Sequence, residues 1–214
     1  MSTTPFPERT PPFFKRGAPL THLLYLHGFR SSPQSKKAQQ FGDWVRAHRP
    51  GLHWWCPQLS PSPADTLTML VEGTADWPRA STAVVGSSLG GFYATVLAER
   101  WGESVCAVLL NPAVHPARDL AGQIGETRAW HSNELFYFQP RFIDELRAMT
   151  PAAITHPQRY FAVIAKGDEV LDWREMTIRY AGCPLRLLDG SDHALTDFDD
   201  DFTAVRAFLG LITS

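Results

Sequence analysis

The sequence predicts an α/β fold: a mostly parallel sheet of about six strands, covered by helices on both faces. Three observations predict it. Short, continuous apolar runs recur along the chain, and such runs belong to strands buried on both sides. Helical periodicities fill the stretches between them, the alternation that builds a parallel sheet. Several runs stop at Gly or at a polar residue, and ligands of open parallel sheets bind at those carboxyl ends.

Taken in order, His22–Leu26 (HLLYL) reads as a buried strand ending at His27-Gly28. Ser32-Pro33 reads as a helix start, a cap residue followed by Pro at the first helical position. Ala38, Phe41, Trp44 and Val45 then recur at helical spacing and form one apolar face. Leu52–Cys56 is a second strand, Pro57 to Pro63 a Pro/Ser loop, and a helical stretch follows to about Asp76. Thr82–Val85 is a β-branched strand ending at Gly86, Phe92–Trp101 a helix, and Val105–Leu110 an apolar strand ending at Asn111-Pro112.

The alternation breaks at about 115–150, where Trp130, Phe136, Tyr137, Phe138 and Phe142 cluster among helical fragments and no strand is expected. It resumes with the strand Tyr160–Ala165, a helix from Trp173 to about Tyr180, and the strand Leu185–Leu188. A last helix presents Phe202, Val205, Phe208, Leu209 and Ile212. This divides the chain into a Pro-rich arm at 1–19 and one domain at 20–214 that carries the insert.

Composition narrows the function. The chain has 214 residues, enough for one domain with a sizeable core, and 44% are hydrophobic, which excludes disorder. Twenty basic residues against 22 acidic ones leave no field to attract a nucleic acid. Cys56, Cys106 and Cys183 are odd in number and widely spaced, so they read as reduced thiols of a cytoplasmic protein. The first 19 residues lack the apolar core of a secretory signal, and no apolar run approaches a membrane span.

Gly86-Ser87-Ser88-Leu89-Gly90 fits G-x-S-x-G between a strand and a helix, the context of a nucleophile elbow. The frame selects Ser88, because Ser87 would need Gly at position 89. The plainer alternative is a Gly-rich turn that only links two elements. A serine hydroxyl is a weak nucleophile and needs a base, itself oriented by an acid. Asp168 and His193 follow two later strands in the required chain order. Asp172 lies a helical turn further from its strand end, and Asp192 is too close to His193 to face its ring. Asp168 is therefore the chosen acid.

Oxyanion donors are expected from the backbone N–H of Leu89, after the nucleophile, and of Phe29, in the loop after the first strand. His27 is expected to brace that loop. Arg30, Lys36 and Lys37 read as a solvated helix face, with an anion site as the alternative. Asp197, Asp199 and Asp201 begin like a calcium loop, but Phe202 and Phe208 stand where Gly and Glu are required. Those acids are expected to favour the N-terminal end of the last helix. No metal or cofactor motif remains, so none is expected.

The strings LYLHGFRSSPQSKKA (24–38), VVGSSLGGFYAT (84–95), LLNPAV (109–114), KGDEVLDW (166–173) and GSDHALTDFDD (190–200) together resemble the YqiA-like esterases of the α/β-hydrolase superfamily. The resemblance runs from about Leu23 to the C-terminus. It implies a reduced α/β-hydrolase fold lacking the first two strands, in keeping with HLLYL as the first strand found here. It implies Ser88, Asp168 and His193 as a catalytic triad acting on small acyl esters or thioesters, without a cofactor. The insert would then be a small cap over the site, its aromatics forming an apolar wall or packing only on the core.

Overall fold

The computed structural model describes residues 17–128 and 135–212. The Pro-rich arm up to residue 16 and Trp130 lie outside the described residues. Six strands form one sheet: β1 (His22–Leu26), β2 (His53–Trp55), β3 (Thr82–Ser87), β4 (Cys106–Leu110), β7 (Tyr160–Ala165) and β8 (Leu185–Leu188). Their order across the sheet is β2-β1-β3-β4-β7-β8, and every pairing is parallel.

The period-2 alternation of each strand divides the core in two. Leu24, Leu26, Val84, Leu109 and Ile164 face one side, against α2 (Pro63–Gly73), α3 (Leu89–Trp101) and α6 (Trp173–Arg179). Tyr25, Val85, Val108, Leu110 and Val163 face the other, against α1 (Lys36–His48) and α7 (Asp199–Phe208). Both faces are filled, which is why the strands read as unbroken apolar runs. Trp54 stacks on Phe41, and Trp55 packs against Trp77, so tryptophans close the β2 side of both layers.

Helix α1 starts later than Ser32-Pro33 implies. The Ser32 Oγ accepts from the Gln34 N–H (3.1 Å) and the Ser32 carbonyl accepts from the Ser35 N–H (3.1 Å), so a tight turn comes first and Ser35 precedes the helix. Such side-chain turns compete with helix initiation. The insert also departs from expectation, because it contains strands. Between α4 (Pro116–Asp119) and α5 (Pro140–Met149), β5 (Gly125–Arg128) and β6 (Leu135–Phe138) pair antiparallel, Gly125 opposite Phe138 and Arg128 opposite Leu135. Each has four residues, too few to display a period of two.

Phe138, Phe142 and Ile143 form a small core of their own against Phe29 and Leu120. The Glu145 carboxylate on α5 accepts from the Ser62 hydroxyl and the Ala64 N–H (both 3.0 Å), capping α2 from the insert. Asp199 and Asp201 stand in the first turn of α7, as expected, and they also make tertiary contacts. Asp201 is buried and pairs with Arg186 of β8, while Asp199 accepts from Gln40 (2.6 Å). These contacts tie α7 to the sheet and to α1. Among the described residues, no helix is long and apolar enough to cross a membrane.

Candidate active site

Ser88 stands between β3 and α3 with φ 56° and ψ −121°. A non-glycine residue in that region is strained and persists only where its surroundings fix it. Here the fixing is mutual hydrogen bonding. The Ser88 N–H donates to the Leu110 carbonyl (2.9 Å), and the Ser88 carbonyl accepts from Gly91 (2.9 Å) and Ala113 (3.0 Å).

The turn is tight enough to exclude side chains. A Cβ on Gly86 would lie 2.1 Å from the Gly90 carbonyl oxygen, and one on Gly90 would lie 2.0 Å from that of Leu26. Both neighbours are backbone and cannot rotate away. Gly90→Ala is therefore expected to cost at least about 3 kcal/mol, the upper end for overpacking, read as a drop in the urea midpoint. An unchanged midpoint would contradict the close approach.

Two loops bring the other groups to Ser88. After β8, the chain carries His193 back so that its Nε2 lies 3.0 Å from the Ser88 Oγ and its Nδ1 lies 2.8 Å from the Asp168 Oδ2. A carboxylate only accepts, so Nδ1 carries the proton and Nε2 is left as the acceptor of the serine O–H. The other oxygen of Asp168 accepts from the Val170 and Leu171 amides, 2.8 Å each. The Asp168 side chain has no exposed surface, and that of His193 has 21%. Asp172 instead caps α6 through the Arg174 N–H, and Asp192 accepts from Thr196.

Phe29 and Leu89 flank the serine, and neither of their N–H groups donates a hydrogen bond to another described residue. The Phe29 ring meets Phe136 and Phe138 of the hairpin edge-on, at 6.2 and 5.3 Å between centroids. His27 is 3% exposed and braces the same loop: its Nε2 accepts from the Leu59 N–H (3.1 Å), and Nδ1 lies 3.0 Å from the Gly28 carbonyl.

A cavity of about 660 Å³ opens over Ser88 and His193, with Phe29, Leu89, Leu120 and Leu171 among its lining. A second, of about 590 Å³, lies across the Gly28–Ser31 loop and is lined by Leu59, Met69, Tyr93 and Phe136. Phe136 thus faces a cavity, whereas Phe138 and Phe142 pack in the insert's own core.

Lys36 and Lys37 are not simply solvated. Lys36 donates to the Thr196 carbonyl (3.2 Å) and Lys37 to that of Ala194, so both clasp the histidine loop. Burial pushes the Lys37 ammonium down to about 8, against the opposing charge of Asp192. Two residues that the sequence reading missed also hold this loop. Glu169 accepts from the His193 N–H (3.0 Å), and Asn111 donates to the Asp192 and His193 carbonyls. Asn111 had one visible signal, a polar residue directly after an apolar strand. Among the described residues, no group of His, Cys, Asp and Glu is placed to hold a metal ion.

The parallel sheet with its serine-bearing elbow, and with Asp and His loops leaving later strands, is an α/β-hydrolase fold. The chain matches the family described as "Uncharacterised protein family (UPF0227)" over residues 22–210, and it belongs to that family, the YqiA-like group. Solved structures agree on the fold. A proposed hydrolase from Agrobacterium vitis S4 superposes with a TM-score of 0.69 at 18% identity, covering 90% of this chain and 91% of its own. The mouse alpha/beta hydrolase domain-containing protein 10 gives 0.65 at 16%, covering 90% and 89%. Est1E from Butyrivibrio proteoclasticus gives 0.64 at 14%, covering 90% and 87%.

Proposed function

We propose that the protein is a serine esterase that hydrolyses small carboxylic esters through an acyl-enzyme. The observation that carries this reading is the unbroken line from the Ser88 Oγ through the His193 ring to Asp168, at 3.0 and 2.8 Å. In it, His193 Nε2 takes the hydroxyl proton as Ser88 attacks the ester carbonyl. Asp168 holds the ring and stabilises its charged form. The Phe29 and Leu89 amides receive the oxyanion, assisted by the N-terminal end of α3. The leaving alcohol takes the proton from His193, and water activated by the same ring releases the acid. No cofactor enters these steps.

In the same reading, residues 20–214 form one domain and the insert at about 115–150 is its cap, whose Phe136 meets Phe29 of the loop after β1 to form an apolar surface for an acyl group. Residues 1–19 are an arm outside that unit. Cys56, Cys106 and Cys183 form no disulfide among the described residues, and reduced thiols fit a cytoplasmic location. An acyl thioester with a phosphate-bearing thiol is the second reading, since Arg30, Lys36 and Lys37 border the cavity. Against it, both lysines already donate to the histidine loop, and the Arg30 Nε donates to the Arg128 carbonyl.

A fluorophosphonate probe tests the main reading. Ser88 is expected to take a single adduct, located by peptide mass spectrometry, with parallel loss of 4-nitrophenyl butyrate hydrolysis. Intact protein with no adduct would instead mark a hydrolase fold used for binding. kcat/KM on matched esters and thioesters is expected to favour the ester.

A further inference from the structure

Asn111 is 1% exposed, follows β4 directly and has φ 43°, a left-handed conformation that Asn tolerates better than most residues. Its amide is fully engaged. The Oδ1 accepts from the Ala165 N–H at the end of β7 (2.8 Å), and the Nδ2 donates to the Asp192 and His193 carbonyls, 3.1 Å each. This pattern fixes which end is oxygen, because an amide N–H needs an acceptor and two carbonyls need a donor. The backbone on either side completes the link, with Leu110 accepting from Ser88 and Ala113 donating to it. One four-residue stretch, 110–113, therefore touches the serine turn, the base of the Asp168 loop and the histidine loop.

Besides Asp168 on the His193 ring, other side chains that bond this loop among the described residues are Glu169 and Lys36, both exposed, Lys37, which is partly buried, and Lys166, which pairs with the exposed Asp189. The exposed contacts among these are weak and screened, and Lys37 holds a single carbonyl, whereas the buried Asn111 amide bonds both the histidine loop and the end of β7. From this geometry we propose that Asn111 is a positioning residue, setting the reach of the His193 ring toward Ser88 and toward the leaving group. The proposal rests on the esterase reading, and it adds a fourth side chain on which proton transfer depends.

The test uses two variants and two esters. Asn111→Asp keeps the left-handed backbone and the acceptor for Ala165, but it turns a carboxylate oxygen toward two carbonyls. Asn111→Gly keeps the backbone and removes the amide without adding charge. A displaced His193 protonates the leaving group poorly, which matters for ethoxide and little for 4-nitrophenolate. Both variants are expected to lose about 100-fold in kcat on ethyl butyrate, the usual scale for general acid–base catalysis or an ångström of misplacement. On 4-nitrophenyl butyrate the loss is expected to be about tenfold, with KM within about threefold of wild type.

Equal losses on the two esters, a loss confined to KM, or less than a threefold change would overturn the proposal. So would failure of both variants to fold, which would make Asn111 a structural residue only. Wild type inert on both esters would instead remove the esterase reading itself, and the two failures are thereby distinct.

Discussion

Ser88→Ala is expected to lower kcat/KM on 4-nitrophenyl butyrate by about 10⁴-fold or more, with the melting temperature and circular dichroism unchanged. The substitution removes only the side-chain hydroxyl, which lies 3.0 Å from the His193 Nε2, and leaves the backbone bonds that hold the turn in place. His193→Ala is expected to be as damaging, and the double variant no worse than either. Groups that act as one unit lose nearly everything at the first deletion. Asp168→Asn is expected to cost about 10⁴-fold, because an amide in place of the carboxylate disturbs the tautomer that Nδ1 must hold. Independent, multiplying losses from Ser88 and His193 would show that the two do not work as a pair. More than a few per cent of wild-type turnover in Ser88→Ala would remove the serine from the chemistry.

The second large effect lies far from the serine and concerns stability. Arg159 is fully buried just before β7. Its Nη1 donates to the Ala98 and Gly102 carbonyls (2.6 and 2.7 Å), satisfying orphan acceptors at the C-terminal end of α3, where a cation also opposes the helix dipole. Its Nη2 pairs with Glu99 at 2.8 Å, and Tyr160 and Thr155 donate to the same carboxylate. Glu99→Ala leaves the guanidinium buried without its counter-charge, and the cost is expected to be about 3–5 kcal/mol by urea denaturation. Specific activity of the remaining folded protein should stay near wild type. A change below about 1 kcal/mol would mean that solvent already screens the pair.

The pH dependence of that pair has a definite sign. Burial raises the Glu99 carboxyl, but the hydrogen bonds from Thr155 and Tyr160 and the Arg159 charge outweigh it, and the net shift is downward. A carboxylate lowered on folding stabilises the protein fully above its unfolded value and loses that contribution as pH falls through the folded one. Removing Glu99 should therefore flatten the acid side of the stability profile.

The four inner strands, β1, β3, β4 and β7, were legible because they are buried on both faces and so leave nearly unbroken apolar runs. The edge strands β2 and β8 are half-buried and showed through shorter, mixed runs. Tyr160–Ala165 and Leu185–Leu188 have the bounds that the runs imply. The elbow was legible for a related reason: two glycines are required where any Cβ would fall within about 2 Å of a backbone carbonyl, and that requirement is written into residue type. Asp168 and His193 could be chosen by strand-end position and chain order, with Asp172 and Asp192 set aside as rival acids. What escaped were contacts between a side chain and distant backbone. Asn111, Glu169, Arg159 and Lys37 all act this way, and such bonds impose no period on the sequence. The β5–β6 hairpin escaped because it is short and packs through a few aromatic rings.

The strand order has a consequence in time as well as in space. Ser88 and His193 are 105 residues apart, and His193 hangs from the strand at the far edge of the sheet. Synthesis delivers the N-terminal part first. Ser88 and its glycines therefore leave the ribosome with neither imidazole nor carboxylate beside them, and an unassisted serine hydroxyl is a poor nucleophile. In the esterase reading, the nascent chain stays inert toward acyl compounds until its last two strands have joined the sheet. Reactivity then becomes a property that only the finished molecule possesses.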